Sequence, residues 1–221
     1  ISYRLDLLAS RGALRYNDTT VQYERMYLEF LGLRDKPFSI TADPSFLYLS
    51  KKHREALSHM AYGIRERKGF VEITGEIGTG KTTLCKTLLR QLDAATKSAL
   101  ILQPQLSELQ LLQAVVQDFG LNPMRANRFG LFNQLNQFLL EQTTLGHNVV
   151  LVIDEAQKLS LRLLEQIRML SNLETDKDKL IQIILVGQPE LREKLALPAL
   201  EQLRQRIAVR YHITPLDSDE V

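Results

Sequence analysis

Phe70-Val71-Glu72-Ile73-Thr74, followed by Gly75-Glu76-Ile77-Gly78-Thr79-Gly80-Lys81-Thr82, is the stretch that decides the fold. The first five residues are short, apolar and β-branched, which reads as a strand. The next eight match GxxxxGK[ST] and open a helix that the pattern predicts from about Lys81 to Leu92. Glycines at Gly75, Gly78 and Gly80 let the backbone turn so that successive N–H groups converge on one point. The N-terminus of the following helix adds its positive dipole end. A loop of this kind takes phosphate. Lys81 is expected to reach the β- and γ-phosphates of ATP as a point charge, and the Thr82 hydroxyl to bind Mg²⁺. Gly75, Glu76, Ile77, Gly78, Thr79, Gly80, Lys81, Thr82 and the adjoining Thr83 form the expected nucleotide-binding set.

Downstream, Val149–Ile153 is a fully apolar strand ending in Asp154 and Glu155. Continuous apolar strands belong to the buried centre of a parallel sheet, and ligands bind at the carboxyl edge of such a sheet. Asp154 is therefore expected to hold Mg²⁺ opposite Thr82, usually through water. Glu155 is expected to orient and deprotonate the attacking water. An acid pair of this kind argues against a kinase, which has a second substrate to position. Leu180–Val186 reads as a further strand, running into Gly187-Gln188-Pro189. Gln188 is the candidate sensor of the γ-phosphate, against the plainer reading of a loop glutamine before a Pro-started helix. Gln103, after the strand Ala99–Leu102, is a weaker candidate for touching Glu155. Arg206, and second to it Arg204, are candidates for an arginine finger reaching a neighbour's site, against the plainer reading of a solvated helix face.

The remaining pattern alternates helices and strands. Helices are predicted over Lys51–Arg67, Ser107–Phe119, Phe129–Thr144, Leu161–Leu173 and Glu190–Ile207, the last as one helix or a pair divided at Pro198, with a fifth strand over Val209–Ile213. Such alternation implies a three-layer α/β domain with a parallel sheet covered on both faces.

Composition narrows the class. The 221 residues are 44% hydrophobic and 24% charged, as expected for one soluble globular domain with a short appendage. A net charge of +2 does not announce a nucleic-acid binder. The single cysteine, Cys85, rules out an internal disulfide and fits a reducing compartment, and it reads as a small buried apolar group. No apolar run approaches the roughly 18 residues of a membrane span, so a soluble, cytoplasmic protein is expected. His53, His59, His147 and His212 show no metal spacing and read as surface or capping residues. The chain starts without Met and stops just after a strand, so it reads as a piece of something longer.

Several segments together resemble one family. They are Met26–Leu33, Lys36-Pro37-Phe38-Ser39-Ile40, Asp43-Pro44, Phe46–Ser50 with His53-Arg54-Glu55-Ala56-Leu57, the phosphate loop, Ile153-Asp154-Glu155-Ala156-Gln157, Leu170–Asp176, Val186–Leu191 and Leu203–Ile207. This combination resembles the ExeA (general secretion pathway protein A) group of AAA+ ATPases, with its pilus-biogenesis and exopolysaccharide-export relatives. The resemblance implies a P-loop NTPase base over residues 26–216, with five parallel strands in the order 5-1-4-3-2. It implies an extension at residues 1–25, Phe38 near the adenine, and the start of a truncated helical lid at 217–221. It also implies a homo-oligomer, in a ring or filament. The first functional expectation is an ATPase energising assembly of an envelope structure: a secretin, a pilus or a polysaccharide exporter. The second is a DNA-dependent regulatory ATPase of the transposition type, which near-neutral charge disfavours.

Overall fold

Strand and helix alternate along the chain in the computed structural model, which describes residues 28, 30–32, 48–102, 106–123, 127–174 and 179–216. Two units are distinguished. Within Ile1–Ala42 the described residues 28, 30 and 31 are helical; Asp43–Val221 holds the sheet and the site. Phe38, Gln103 and residues 175–178 lie outside the described residues.

In chain order the second unit runs α1 (Lys51–Arg65), β1 (Phe70–Gly75), α2 (Lys81–Gln91), β2 (Thr96–Ile101), α3 (Glu108–Asp118), α4 (Arg128–Thr144) and β3 (Asn148–Ile153). A 3₁₀ turn at Ala156–Lys158 leads to α5 (Leu161–Leu170), β4 (Gln182–Gly187), α6 (Pro189–Leu195), α7 (Glu201–Arg206) and β5 (Ile207–Ile213). The five strands are parallel in the order β2-β3-β4-β1-β5, which is the expected 5-1-4-3-2 read from the other edge.

Burial follows from the order. β1 and β4 are buried at every position, and β3 everywhere except its first residue. Side chains alternate across a strand, so the sheet feeds two cores. Leu151, Ile153, Ile183 and Leu185 pack with Leu111, Leu112, Leu135 and Leu164 of α3, α4 and α5. Val150, Val152, Ile184 and Val186 pack on the other face with Ala56, Met60, Leu84 and Leu88 of α1 and α2. Side-chain oxygens cap the helices at Ser50, Ser107, Asn127 and Ser160, each accepting from a first-turn N–H.

Two of the boundaries that differ from expectation are instructive. β2 begins at Thr96 rather than Ala99, because this edge strand exposes Lys97 and half-buries Thr96 and Ser98, which hides it from a search for apolar runs. The fourth strand starts at Gln182, not Leu180. Gln182 is buried, its amide donating to Lys179 O and accepting from Gly69 N–H. Of the two expectations for Glu190–Ile207, the divided one holds: α6, a 3₁₀ turn at Pro198–Leu200 and α7 replace a single helix, as the missing N–H and fixed φ of Pro198 require.

Candidate functional site

β1, β3 and β4 all end at the same edge of the sheet, and each delivers polar groups to one cleft. Ile77, Gly78, Gly80, Lys81, Thr82, Thr83, Glu155 and Gln188 line it, around a volume of about 270 Å³. Gly75, Glu76 and Thr79 build the loop behind the cleft. Thr79 Oγ1 donates to Glu76 O at 2.8 Å, and the Lys81 ammonium donates to Gly75 O at 2.8 Å and to Glu76 O at 2.7 Å. Gly80 begins α2 in the left-handed region, at φ 75°, where a side chain is strained. No side chain caps this helix, so its first N–H groups remain for a ligand.

Opposite the loop, the Thr82 hydroxyl donates to the Asp154 carboxylate, which also accepts the Glu155 N–H at 2.8 Å. Asp154 is 1% exposed. Burial raises its pKa above the usual 3.8, only partly offset by the Thr82 hydroxyl and the Glu155 N–H. The same burial lowers the Lys81 pKa, with Asp154, Glu155 and Glu76 pulling it back. Phosphate oxygens would relieve the lysine; a divalent cation would relieve the aspartate. Among the described residues no cluster of three or more His, Cys, Asp or Glu is arranged to hold a metal ion. A cation between Thr82 and Asp154 would thus draw the rest of its oxygens from phosphate and water, which is how Mg²⁺ is usually held.

Glu155 stands in a left-handed backbone conformation, φ 54° and ψ 32°. Such a conformation costs a non-glycine residue of order 1 kcal/mol or more and clusters at functional sites. Its Oε2 accepts from Gln157 Nε2 at 3.1 Å and lies 2.8 Å from the Lys158 ammonium. Gln157 turns its other amide atom to β4, where Oε1 accepts the Gln188 N–H at 3.1 Å. A Cβ at Gly187 would stand 2.7 Å from Gln157 Oε1 and 3.0 Å from Leu191 Cδ2, so a side chain there would push the Gln157 amide off this bond. Lys194 of α6 donates to the carbonyls of Gln157 and Leu159, holding the 3₁₀ turn.

The cleft brings Lys81, Thr82, Asp154, Glu155 and Gln188 together. It does not bring Arg206. That residue ends α7 just before Ile207, which pairs with Phe70 at the opposite edge of the sheet. Arg206 donates to Ser171 Oγ at 3.0 Å and to Asn172 Oδ1. Arg204 is exposed. Gln157 and Lys158 carried no role in the sequence reading, since polar residues after an acid pair are unremarkable without the fold.

His53 overturns the expectation that every histidine is a surface or capping residue. It is 5% exposed and contacts the phosphate loop. His59 stacks on Tyr211 and His212 bonds Thr74 Oγ1, away from the cleft lining. Cys85 is buried as expected, and burial pushes its thiol well above the usual range, away from nucleophilic use.

The sequence pattern of the AAA domain family matches residues 64–195. General secretion pathway protein A of Aeromonas hydrophila is 47% identical over 197 residues. That alignment takes in 89% of this chain but only 36% of the relative, so the chain spans about a third of it. Among solved structures, the fold resembles the Aeropyrum pernix ORC2 protein in its ADPNP–ADP complexes, with a TM-score of 0.61 and 20% identity, over 85% of this chain and 53% of that chain. It also resembles Cdc6p of Pyrobaculum aerophilum, with a TM-score of 0.62 and 18% identity, over 85% and 51% of the two chains. Identities this low speak to the fold alone.

Proposed function

This chain belongs to the AAA domain family, and from that premise we propose that it binds ATP with Mg²⁺ and hydrolyses it as one subunit of a homo-oligomer. The contact between the Thr82 hydroxyl and the Asp154 carboxylate carries the reading. It sets two oxygen ligands from separate elements face to face, beside a lysine and an uncapped helix N-terminus. Mg²⁺ held there would neutralise charge on the phosphates. Gly78, Gly80 and Lys81 hold the phosphate oxygens. Glu155 orients the attacking water and takes its proton; Gln188 hydrogen-bonds the γ-phosphate from the tip of β4. Phe38 is assigned to the adenine side, on the family resemblance.

Arg206 is assigned as the residue given to a neighbouring copy, with Arg204 as its exposed alternative. Because Arg206 is bound to Ser171 and Asn172 in its own chain, reaching a neighbour means exchanging those partners. The cellular role we assign is energising the assembly of a bacterial envelope system, from the cytoplasmic side. It rests on the likeness to general secretion pathway protein A. No helix among the described residues is long and apolar enough to cross a membrane.

Phosphate release with and without Mg²⁺, for Arg206→Ala, Asp154→Asn and their mixture, tests the reading. Each variant alone should be nearly inactive, and the mixture should recover part of the activity, since some interfaces then join an intact site to an intact arginine. No recovery retires the shared site. ATPase stimulation by duplex DNA that is lost at higher salt would replace the envelope role with a DNA-dependent one.

A further inference from the structure

We propose that His53 is a positioning residue of the phosphate loop, fixing from behind the peptide that presents the Gly80 N–H to nucleotide phosphate. The inference rests on the nucleotide-binding reading above and goes further by assigning a part of the site to α1, an element outside the phosphate-loop motif. His53 Nε2 lies 2.9 Å from Thr79 O, and Nδ1 lies 2.8 Å from Ser50 Oγ. Ser50 is 1% exposed and Thr79 8%, so all three partners are shielded from water.

The partners fix the direction of each bond. A carbonyl only accepts, so Nε2 carries the proton and donates to Thr79 O. In the neutral ring Nδ1 then accepts, and the Ser50 hydroxyl supplies the proton. The same Ser50 oxygen accepts the His53 N–H as the cap of α1. Serine and histidine thus orient one another, and the ring is aimed at the loop.

The consequence for the cleft follows from peptide geometry. In a trans peptide the C=O of one residue and the N–H of the next point in opposite directions across one plane, and the described chain has no cis bonds. Drawing Thr79 O back toward α1 therefore turns the Gly80 N–H forward. Gly80 lines the cleft. With glycine's freedom at this position, the Thr79–Gly80 plane would otherwise rotate easily. The loop's other internal bonds tie Thr79 to Glu76 and Lys81 to Gly75 and Glu76, and none of them grips Thr79 O.

The test is binding of fluorescent ADP with Mg²⁺ to the full chain, so that catalysis plays no part. His53→Leu, which keeps bulk but loses the donor, should weaken binding about tenfold, the equivalent of about 1.4 kcal/mol. His53→Gln, whose amide places a donor near the Nε2 position, should stay within about threefold of the parent. A merely structural role predicts a different split: both variants would melt earlier, and both would bind ADP normally wherever circular dichroism shows them folded. That outcome overturns the proposal. If His53→Leu does not fold, Ser50→Gly decides. It removes the hydroxyl that aims the ring while keeping a tolerated cap residue, and unchanged ADP affinity there overturns the proposal. A parent chain that binds no ADP overturns the nucleotide reading itself, and this inference with it.

Discussion

Two carboxylates are buried in the same sheet with β4 between them, Glu72 in the middle of β1 and Asp154 just past the end of β3. Burial pushes both pKa values up. Their compensation differs. Glu72 has a cation of its own: Arg210 on β5 bonds it at 3.2 Å, and that guanidinium is half exposed. Asp154 is held by neutral donors, a hydroxyl and a backbone N–H, and the nearby Lys81 ammonium is spent on loop carbonyls. A buried acid with a built-in counter-ion is finished. One bonded by dipoles alone, with the nearest ammonium bonded elsewhere, still favours an incoming positive charge.

Replacing each acid by its amide should break the comparison most sharply. Asp154→Asn should cut ATP turnover by about 100-fold or more, while the nucleotide-free protein melts no earlier than its parent, because a poorly compensated charge has been removed. Normal turnover combined with a lower melting temperature would make Asp154 a structural acid like Glu72. The next largest effect is expected at Arg210→Ala, which leaves Glu72 buried without its cation. Given the exposure of the guanidinium, the loss should be about 1–2 kcal/mol in urea unfolding at neutral pH, with ATP turnover retained. The sign with pH is fixed. A carboxyl whose folded pKa lies above the unfolded value costs stability above the folded pKa, and regains it as pH falls toward the ordinary value of 4.5. The deficit of Arg210→Ala should therefore shrink on acidification, and a constant deficit would assign it to packing.

A smaller effect concerns the turn beside Asp154. Gln157→Ala should lower kcat by about tenfold, as expected for loosening a general base, and leave ADP affinity unchanged. An equal change in both would make Gln157 a generic support of the turn. The smallest effect is a proton competing with the cation. The Mg²⁺-dependent part of the thermal shift given by ADP should decline as pH falls toward the raised pKa of Asp154. In Asp154→Asn that part should be small at every pH.

The sheet and the phosphate loop were legible because their determinants are local. Val149–Ile153 is apolar throughout, and three glycines with a lysine and a threonine fix a turn by themselves. The start of β2 was hidden by Thr96, Lys97 and Ser98, which an edge strand tolerates because one side faces water. Leu180 and Ile181 are apolar and buried, so they read as strand although β4 starts only at Gln182. His53 was read wrongly for a different reason. Its partner lies 26 residues away, and nothing in its own neighbourhood tells a ring turned inward from one turned out. Strand order, by contrast, was not read from periodicity at all; it came from family resemblance.

Gly187 and Gln157 leave a trace that can be sought without purifying anything. The missing side chain at one position is the space occupied by the amide at the other. In related sequences the two should be inherited as a pair: where position 187 gains even a methyl group, position 157 should have shortened. Where 157 stays glutamine, 187 should stay bare.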